Sequence, residues 1–282
     1  MRELEDGASD QTVGGSLREQ VDSIFWYHTF DLPGGIVTPG IFDHRKVAAK
    51  VPFPDLTGLR CLDVASSDGF WAFEMARRGA ASVLSVDLSD SRRQDWQGPL
   101  HSPREHSTGR AQQAFEIVRE ATGLHNVDRL DSSIYDLSPD DIGMFDFVFM
   151  GNIILHLSDP ARALRAVHSV TKGTFLSYEM VLLTMSIMRP RTPRAQLWHT
   201  DDARWWTPNM AAHRRLIQAA GFEIEKSGGP LFQPFGKHLQ AWPTLRTFGR
   251  GEHGLRASLS YWFGVRRVGA PTSWIIARPL RA

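Results

Sequence analysis

The sequence predicts an open, doubly wound α/β sheet. Short apolar runs of strand length alternate with segments of helical periodicity between Leu59 and Tyr178, at the spacing of strand–helix–strand units. Acidic residues mark the ends of the first two runs, at Asp63 and Asp87, and open sheets of this kind gather ligands beyond the carboxyl ends of their strands. The 282-residue length accommodates one large domain, and no repeat or low-complexity segment divides it.

Taken in order, residues 1–16 are polar and contain glycine, which predicts a disordered tail. Leu17, Val21, Ile24 and Phe25 fall at helical spacing and predict a helix over 17–30, ending before Pro33-Gly34-Gly35. A loop dense in turn formers runs to Gly40, and a helical piece covers 43–50. Residues 60–64 are an apolar run fit for a buried parallel strand. Residues 70–78 form a helix that packs through Phe73, Met75 and Ala76 and stops at Gly79. The β-prone stretch 81–86 predicts a second strand, and 88–107 is polar and irregular, with Trp96 and Pro99 inside it. A helix over 110–122 leads to a weak third strand at 126–130 and a strong, phenylalanine-rich fourth at 144–150. Asp159-Pro160 opens a helix, because proline in the first turn lacks only an N–H that would go unpaired there. A fifth strand spans 173–178. The pattern then breaks. Residues 179–210 set Trp198, Trp205 and Trp206 among prolines, arginines and histidines, and read as an insert. A helix over 209–220, a strand at 222–225, a glycine- and aromatic-rich insert over 227–272 and a last strand at 274–277 complete the chain.

Formal charge is +1 at pH 7, from 32 basic and 31 acidic residues, so bulk electrostatics argue for neither nucleic acid nor a membrane surface. The single cysteine, Cys61, excludes an internal disulfide and a thiolate metal cluster, and suits a reducing compartment. The first 16 residues hold no apolar signal core and no long uncharged span follows, so a cytoplasmic protein is expected.

The stretch Asp63-Val-Ala-Ser-Ser-Asp-Gly69 lies between the first strand and its helix, where a nucleotide-binding turn belongs. Asp87 stands 18 residues beyond Gly69, where a carboxylate accepts hydrogen bonds from ribose hydroxyls. The glycines that let a pyrophosphate approach are replaced by Ala65 and Ser67, and the acids at 63 and 68 repel a diphosphate. An uncharged or cationic nucleoside fits this turn better than a dinucleotide, which leaves an NAD-dependent redox enzyme as the weakest reading.

The order Leu62-Asp-Val-Ala-Ser-Ser-Asp-Gly-Phe-Trp71, then Val83-Leu-Ser-Val-Asp87, resembles the first two motifs of class I S-adenosylmethionine-dependent methyltransferases, with Ala65 where a glycine is usual. Residues 26–40, 68–79 and 151–160 further resemble the subfamily of tRNA wobble-uridine carboxymethyltransferase-like proteins, which also holds natural-product methyltransferases. The likeness runs over about residues 20–180 and thins in the C-terminal third. It implies a Rossmann-like, mostly parallel seven-stranded sheet with a C-terminal antiparallel strand. It also implies an N-terminal helical lid over 17–55 and a methyltransferase domain over 56–282, with aromatic-rich inserts at 179–210 and 227–272. The cofactor implied is S-adenosylmethionine, released as S-adenosylhomocysteine. Asp63, Ala65, Ser66, Gly69 and Phe70 would wrap its methionine half, Asp87 its ribose, and Leu88 with Asp131, Ser132 and Ser133 its adenine, with Gly151 at the rim. Asn152 and His156 follow the fourth strand, where the methyl group is delivered. Carboxylated-cofactor members carry a tyrosine before the motif histidine, and here that place is Leu155, which favours the ordinary cofactor.

The acceptor expected is a small molecule, most simply methylated at oxygen with His156 as general base. Its pocket is expected from Trp26, Tyr27 and His28 on one side and Trp198, His199, Trp205, Trp206 and Asn209 on the other, an apolar wall with a few polar fixtures. Phe232, Phe235, His238 and Trp242 in the later insert could pack or bind. Arg189, Arg191 and Arg194 form a basic run among prolines that could meet an anionic ligand or simply face water. No histidine or acid spacing suits a metal, and a monomer or homodimer is expected. The alternatives are a tRNA-modifying enzyme and a non-catalytic protein that binds S-adenosylmethionine.

Overall fold

The structure is a computed structural model and describes residues 10–95, 109–198, 204–237 and 268–280. The chain opens with α1 (Asp10–Ser23), a short hairpin of β1 (Asp31–Leu32) and β2 (Ile36–Val37), and α2 (Arg45–Ala48). The alternating part follows: β3 (Arg60–Val64), α3 (Phe70–Arg77), β4 (Ser82–Asp87), α4 (Arg110–Thr122), β5 (Val127–Asp131), α5 (Pro139–Ile142), β6 (Phe145–Gly151), α6 (Pro160–Val170) and β7 (Thr171–Met180). Then come α7 (Leu183–Met188), β8 (Ala195–Leu197), β9 (Trp206–Pro208), α8 (Met210–Ala219), β10 (Phe222–Gln233) and β11 (Ala270–Pro279).

Seven strands form one sheet in the order β10-β11-β7-β6-β3-β4-β5. The five strands from β7 to β5 pair in parallel, and β11 runs antiparallel to both of its neighbours. The expected doubly wound sheet with a C-terminal antiparallel strand is what the chain forms. Adjacent residues of a strand face opposite sides, and the core divides accordingly. Cys61, Phe147, Phe149 and Leu176 join one cluster with Trp71, Phe73 and Met75 of α3 and Phe115 and Val118 of α4. Leu62, Val148, Met150 and Phe175 join the other with Leu164 and Val167 of α6 and Ile217 of α8. Both faces of the central strands are thus covered, which is why their sequences are nearly continuous apolar runs.

Three boundaries differ from expectation. The first helix covers Asp10–Ser23 rather than 17–30, so its first seven residues fall in the segment read as a tail. Beyond Ser23 the chain turns non-helical and sinks Trp26 and Phe30 completely into the core, so burial overrides the helical spacing. Strand β10 runs to Gln233 and β11 starts at Ala270, so 227–233 and 270–272 are sheet, not insert. Residues 179–210 carry α7 and the β8–β9 hairpin, held to the sheet by Val181 N–H donating to Pro271 O (2.9 Å) and to the turn after β6 by Trp205 N–H donating to Leu155 O (2.8 Å). Trp96, Pro99, His199, His238 and Trp242 lie outside the described residues.

Candidate functional site

The sheet order reverses at β3, between β4 and β6, and a cavity of about 410 Å³ opens over the carboxyl ends of these strands. Its volume falls within the range of about 300–1,000 Å³ usual for small-molecule sites. The turn after β3 forms the floor. Ala65 and Ser67 adopt left-handed backbone (φ 59° and 52°). An alanine there costs roughly 1–2 kcal/mol, which is the physical reason a glycine is common at that place. The turn persists because Ala65 N–H and Ser66 N–H both donate to Val86 O, at 2.8 and 3.2 Å. Gly69, also left-handed, starts α3, and a Cβ there would lie 2.6 Å from the Phe115 ring.

Two strand-end carboxylates face the cavity. Asp63 is buried, and desolvation pushes its pKa well above the usual carboxylate range. Asp87 and Asp68 add to the shift, while the Ala72 N–H and Arg129 oppose it. Its Oδ2 has no hydrogen-bond partner. Asp87 accepts from Ser67 N–H and from Leu88 N–H (2.7 Å), and burial raises its pKa against the pull of Arg129 and those amides. A carboxylate offers about four acceptor positions, so Asp87 can still receive two more donors.

The N-terminal segment closes one side. Asp68 accepts from Tyr27 N–H (2.9 Å) and His28 N–H (2.8 Å), and its other oxygen pairs with His28 Nδ1. Gly40 is required in this segment, because a Cβ would lie 2.3 Å from the His28 carbonyl carbon. His44 packs at a tilt against Phe70 and Trp71, and burial holds its pKa well below the ordinary value. Its Nδ1 also lacks a partner. Tyr27 reaches the cavity too, its phenol pKa raised by burial and then by Asp68 and Asp87.

The opposite rim follows β6. Asn152 takes left-handed backbone (φ 56°), which asparagine tolerates better than most residues, and its N–H donates to Tyr178 O (2.8 Å). Its Nδ2 donates to Gln233 Oε1, while its Oδ1 is buried without a partner. A short 3-10 turn, Ile154–His156, then carries His156 to the cavity wall. Beneath it, fully buried Glu179 accepts from Ile154 N–H (3.1 Å) and Ile153 N–H (3.4 Å), and burial pushes its pKa up to about 8. Farther out, Asp95 accepts from Tyr135 O–H and from Ser158 N–H and O–H, tying the loop after β4 to this rim.

The structure therefore brings Asp63, Ala65, Ser66, Asp87, Leu88, Ser132, Ser133, Gly151, Asn152, His156, Tyr27 and His28 around one cavity. Other expected site residues lie elsewhere. Trp26 is a fully buried core residue whose Nε1–H donates to Val21 O (2.9 Å). Gly69 and Phe70 act in the turn and the core, and Asp131 does not line the cavity but accepts from Ser89 N–H and pairs with Arg93, which does. Asn209 caps α8 by accepting from Ala212 N–H and Arg194 N–H, and donates to Arg189 O and Thr192 O, so its amide is fully used. Trp198 and Trp205 brace the β8–β9 hairpin, through Thr207 and Asp95 O respectively, and Trp206 lines a different cavity. Asp68, His44, Glu179 and Gln233 went unassigned in the sequence. Only Asp68 carried a signal, as a second acid in the turn; the others reach the site through long-range packing. No group of three or more metal-ligating side chains, and no helix long and apolar enough to cross a membrane, occurs among the described residues.

A family model described as a methyltransferase domain matches residues 41–227. The ubiquinone biosynthesis O-methyltransferase of Acinetobacter baylyi is 24% identical over 201 residues, 67% of this chain and 74% of that protein. Its counterpart from Neisseria meningitidis serogroup C is 31% identical over 121 residues, 42% of each. Among solved structures, the N-terminal domain of EvdMO1, crystallised in the presence of SAH and D-fucose, gives a TM-score of 0.56 at 14% identity. It covers 98% of this chain and 100% of that one. The cyclase SpnF gives 0.53 at 20% identity, over 84% and 80%.

Proposed function

Because the chain belongs to the class I S-adenosylmethionine-dependent methyltransferases, we propose that the 410 Å³ cavity seats this cofactor and delivers its methyl group to a small-molecule oxygen. One observation carries the assignment. Three buried polar atoms without partners, Asp63 Oδ2, His44 Nδ1 and Asn152 Oδ1, belong to residues that line this same cavity. Each unmade hydrogen bond at a buried atom costs about 1–3 kcal/mol, so a polar ligand whose binding lets these atoms pair is favoured here. Asp63 and Asp87 make the cavity favourable to a cation, whose approach would restore the carboxylate charge that burial disfavours. A zwitterionic amino acid joined through a sulfonium to a nucleoside satisfies both requirements.

When bound, the cofactor supplies a methyl group on positively charged sulfur for an in-line displacement. Asp63 Oδ2 would take the α-ammonium, and the spare acceptor positions of Asp87 the ribose diol. Leu88 and the 132–134 segment would flank the adenine. Tyr27 and His28, fixed by Asp68, would cover the cofactor and exclude water. His156 would remove the proton of the acceptor hydroxyl, while Glu179 holds the turn that presents it. The O-methyltransferase names of the relatives support an oxygen acceptor.

Radiolabelled S-adenosylmethionine with fractionated metabolite extract and with purified tRNA tests the reading. Label is expected in a small molecule. Label in tRNA would instead support the wobble-uridine-like subfamily. With the acceptor in hand, His156→Ala is expected to lower kcat about 100-fold or more, and a near-wild-type rate removes the base role.

A further inference from the structure

A second cavity, of about 240 Å³, shares the rim turn with the first: Ile154 lines it, whereas Ile153, His156 and Leu157 line the cofactor cavity. Its walls are apolar, from Ile154, Pro193, Trp206, Pro208 and Leu216. Two arginines from separate elements, 21 residues apart in the chain, border it: Arg194 before β8 and Arg215 on α8, both exposed. Backbone bonds fix the position of Arg194, whose N–H donates to Asn209 Oδ1 (3.0 Å) and whose carbonyl accepts from Asn209 N–H (2.8 Å). Neither guanidinium pairs with a carboxylate among the described residues. Arg214 Nη2 donates to a carbonyl, Pro190 O, at 3.2 Å, which sets that arginine beside the Arg189–Arg191 run. A basic run alone would be a solvated face. Its convergence with α8 on an apolar hollow is a different arrangement.

We propose that this cavity binds a small anionic amphiphile, a hydrocarbon body ending in a carboxylate or phosphate. The body packs on Trp206 and Leu216, where burial of apolar surface drives binding. The head sits on Arg194 and Arg215, whose planar donor forks match either oxyanion. Trp206 Nε1–H donates to Ile154 O (3.3 Å), so an occupant touches the turn that carries His156. The amphiphile could be the distal end of the methyl acceptor or a separate effector, since both would offer the same chemistry.

Calorimetric titration of the full chain with octanoate and with uncharged octanamide, each with and without saturating SAH, tests the proposal. One octanoate site is expected, unchanged by SAH, with octanamide at least tenfold weaker. The double substitution Arg194→Gln, Arg215→Gln should weaken octanoate at least tenfold and leave SAH affinity unchanged. Leu216→Trp, which fills the hollow, should abolish binding of both probes. Equal affinity for octanamide, full affinity in the double variant, displacement of octanoate by SAH, or no binding at millimolar octanoate would each overturn it. The SAH titration reads the cofactor cavity separately, so failure there is distinguishable from failure here. Once an acceptor is known, competitive inhibition by octanoate assigns the site to the acceptor's tail, and noncompetitive inhibition to an effector.

Discussion

Single side chains decide this site by the hydrogen bonds they leave open. Asp63, His44 and Asn152 line the cavity and each keeps one buried polar atom unpartnered, while Asn209 spends every donor and acceptor on backbone. Asn209→Ala is therefore expected to lower stability by about 1–2 kcal/mol, the loss of a helix cap, seen as a reduced denaturation midpoint. SAH affinity should be unchanged. A raised acceptor KM with an intact midpoint would return Asn209 to the substrate site. The placement of Asp63, Asp87 and His156 at the cavity was legible in the sequence because strand ends follow from the apolar period, and ligands gather at strand ends. Trp26 and the hairpin tryptophans were not. A buried tryptophan and a pocket tryptophan have the same sequence signal, and only packing separates them.

Among the elements, the segment between α1 and α2 is the one whose attachment the site depends on. Asp68 holds it through two backbone N–H groups and the His28 ring, all from one carboxylate at the mouth of the turn. Asp68→Ala leaves those donors without their acceptor. Hydrogen exchange at residues 26–42 is expected to rise by an order of magnitude or more, and SAH affinity to fall at least tenfold. Unchanged exchange would show that Trp26 and Phe30, buried in the core, anchor the segment by themselves. The sequence marked this stretch as turn-rich but placed its helix seven residues too late. Periodicity registers apolar spacing without telling which apolar residues leave the helix to fill the sheet's face. The β10 and β11 ends were missed for a related reason: their outer residues alternate with glycine and polar groups that only cross-strand pairing organises.

For the molecule as a whole, the central sheet fixes the cavity between two cores, and one buried acid ties its stability to pH. Glu179 has a folded pKa of about 8, above the ordinary 4.5 of an exposed glutamate. A raised carboxyl pKa favours the folded state where the group is protonated in both states, below about pH 4.5. That contribution is lost progressively as pH climbs to about 8, by at most about 1.4 kcal/mol per unit. Glu179→Gln is expected to flatten the fall in stability between pH 5 and 8, measured by urea denaturation across that range. An unaltered slope would show that Glu179 does not titrate there. The fold class and the strand-end acids could both be read from the sequence, because each follows from local pattern; the strand order could not. The shared wall between two cavities could not, since it joins residues far apart in the chain. In the function proposed above, the carboxyl edge of this sheet holds a sulfonium nucleoside by its ribose. Calorimetric titration of SAH into the wild type and Asp87→Ala tests it most directly. One site is expected in the wild type and at least tenfold weaker binding in the variant, about 1.4 kcal/mol or more. Absence of binding to the wild type, or equal affinity in both proteins, would contradict it.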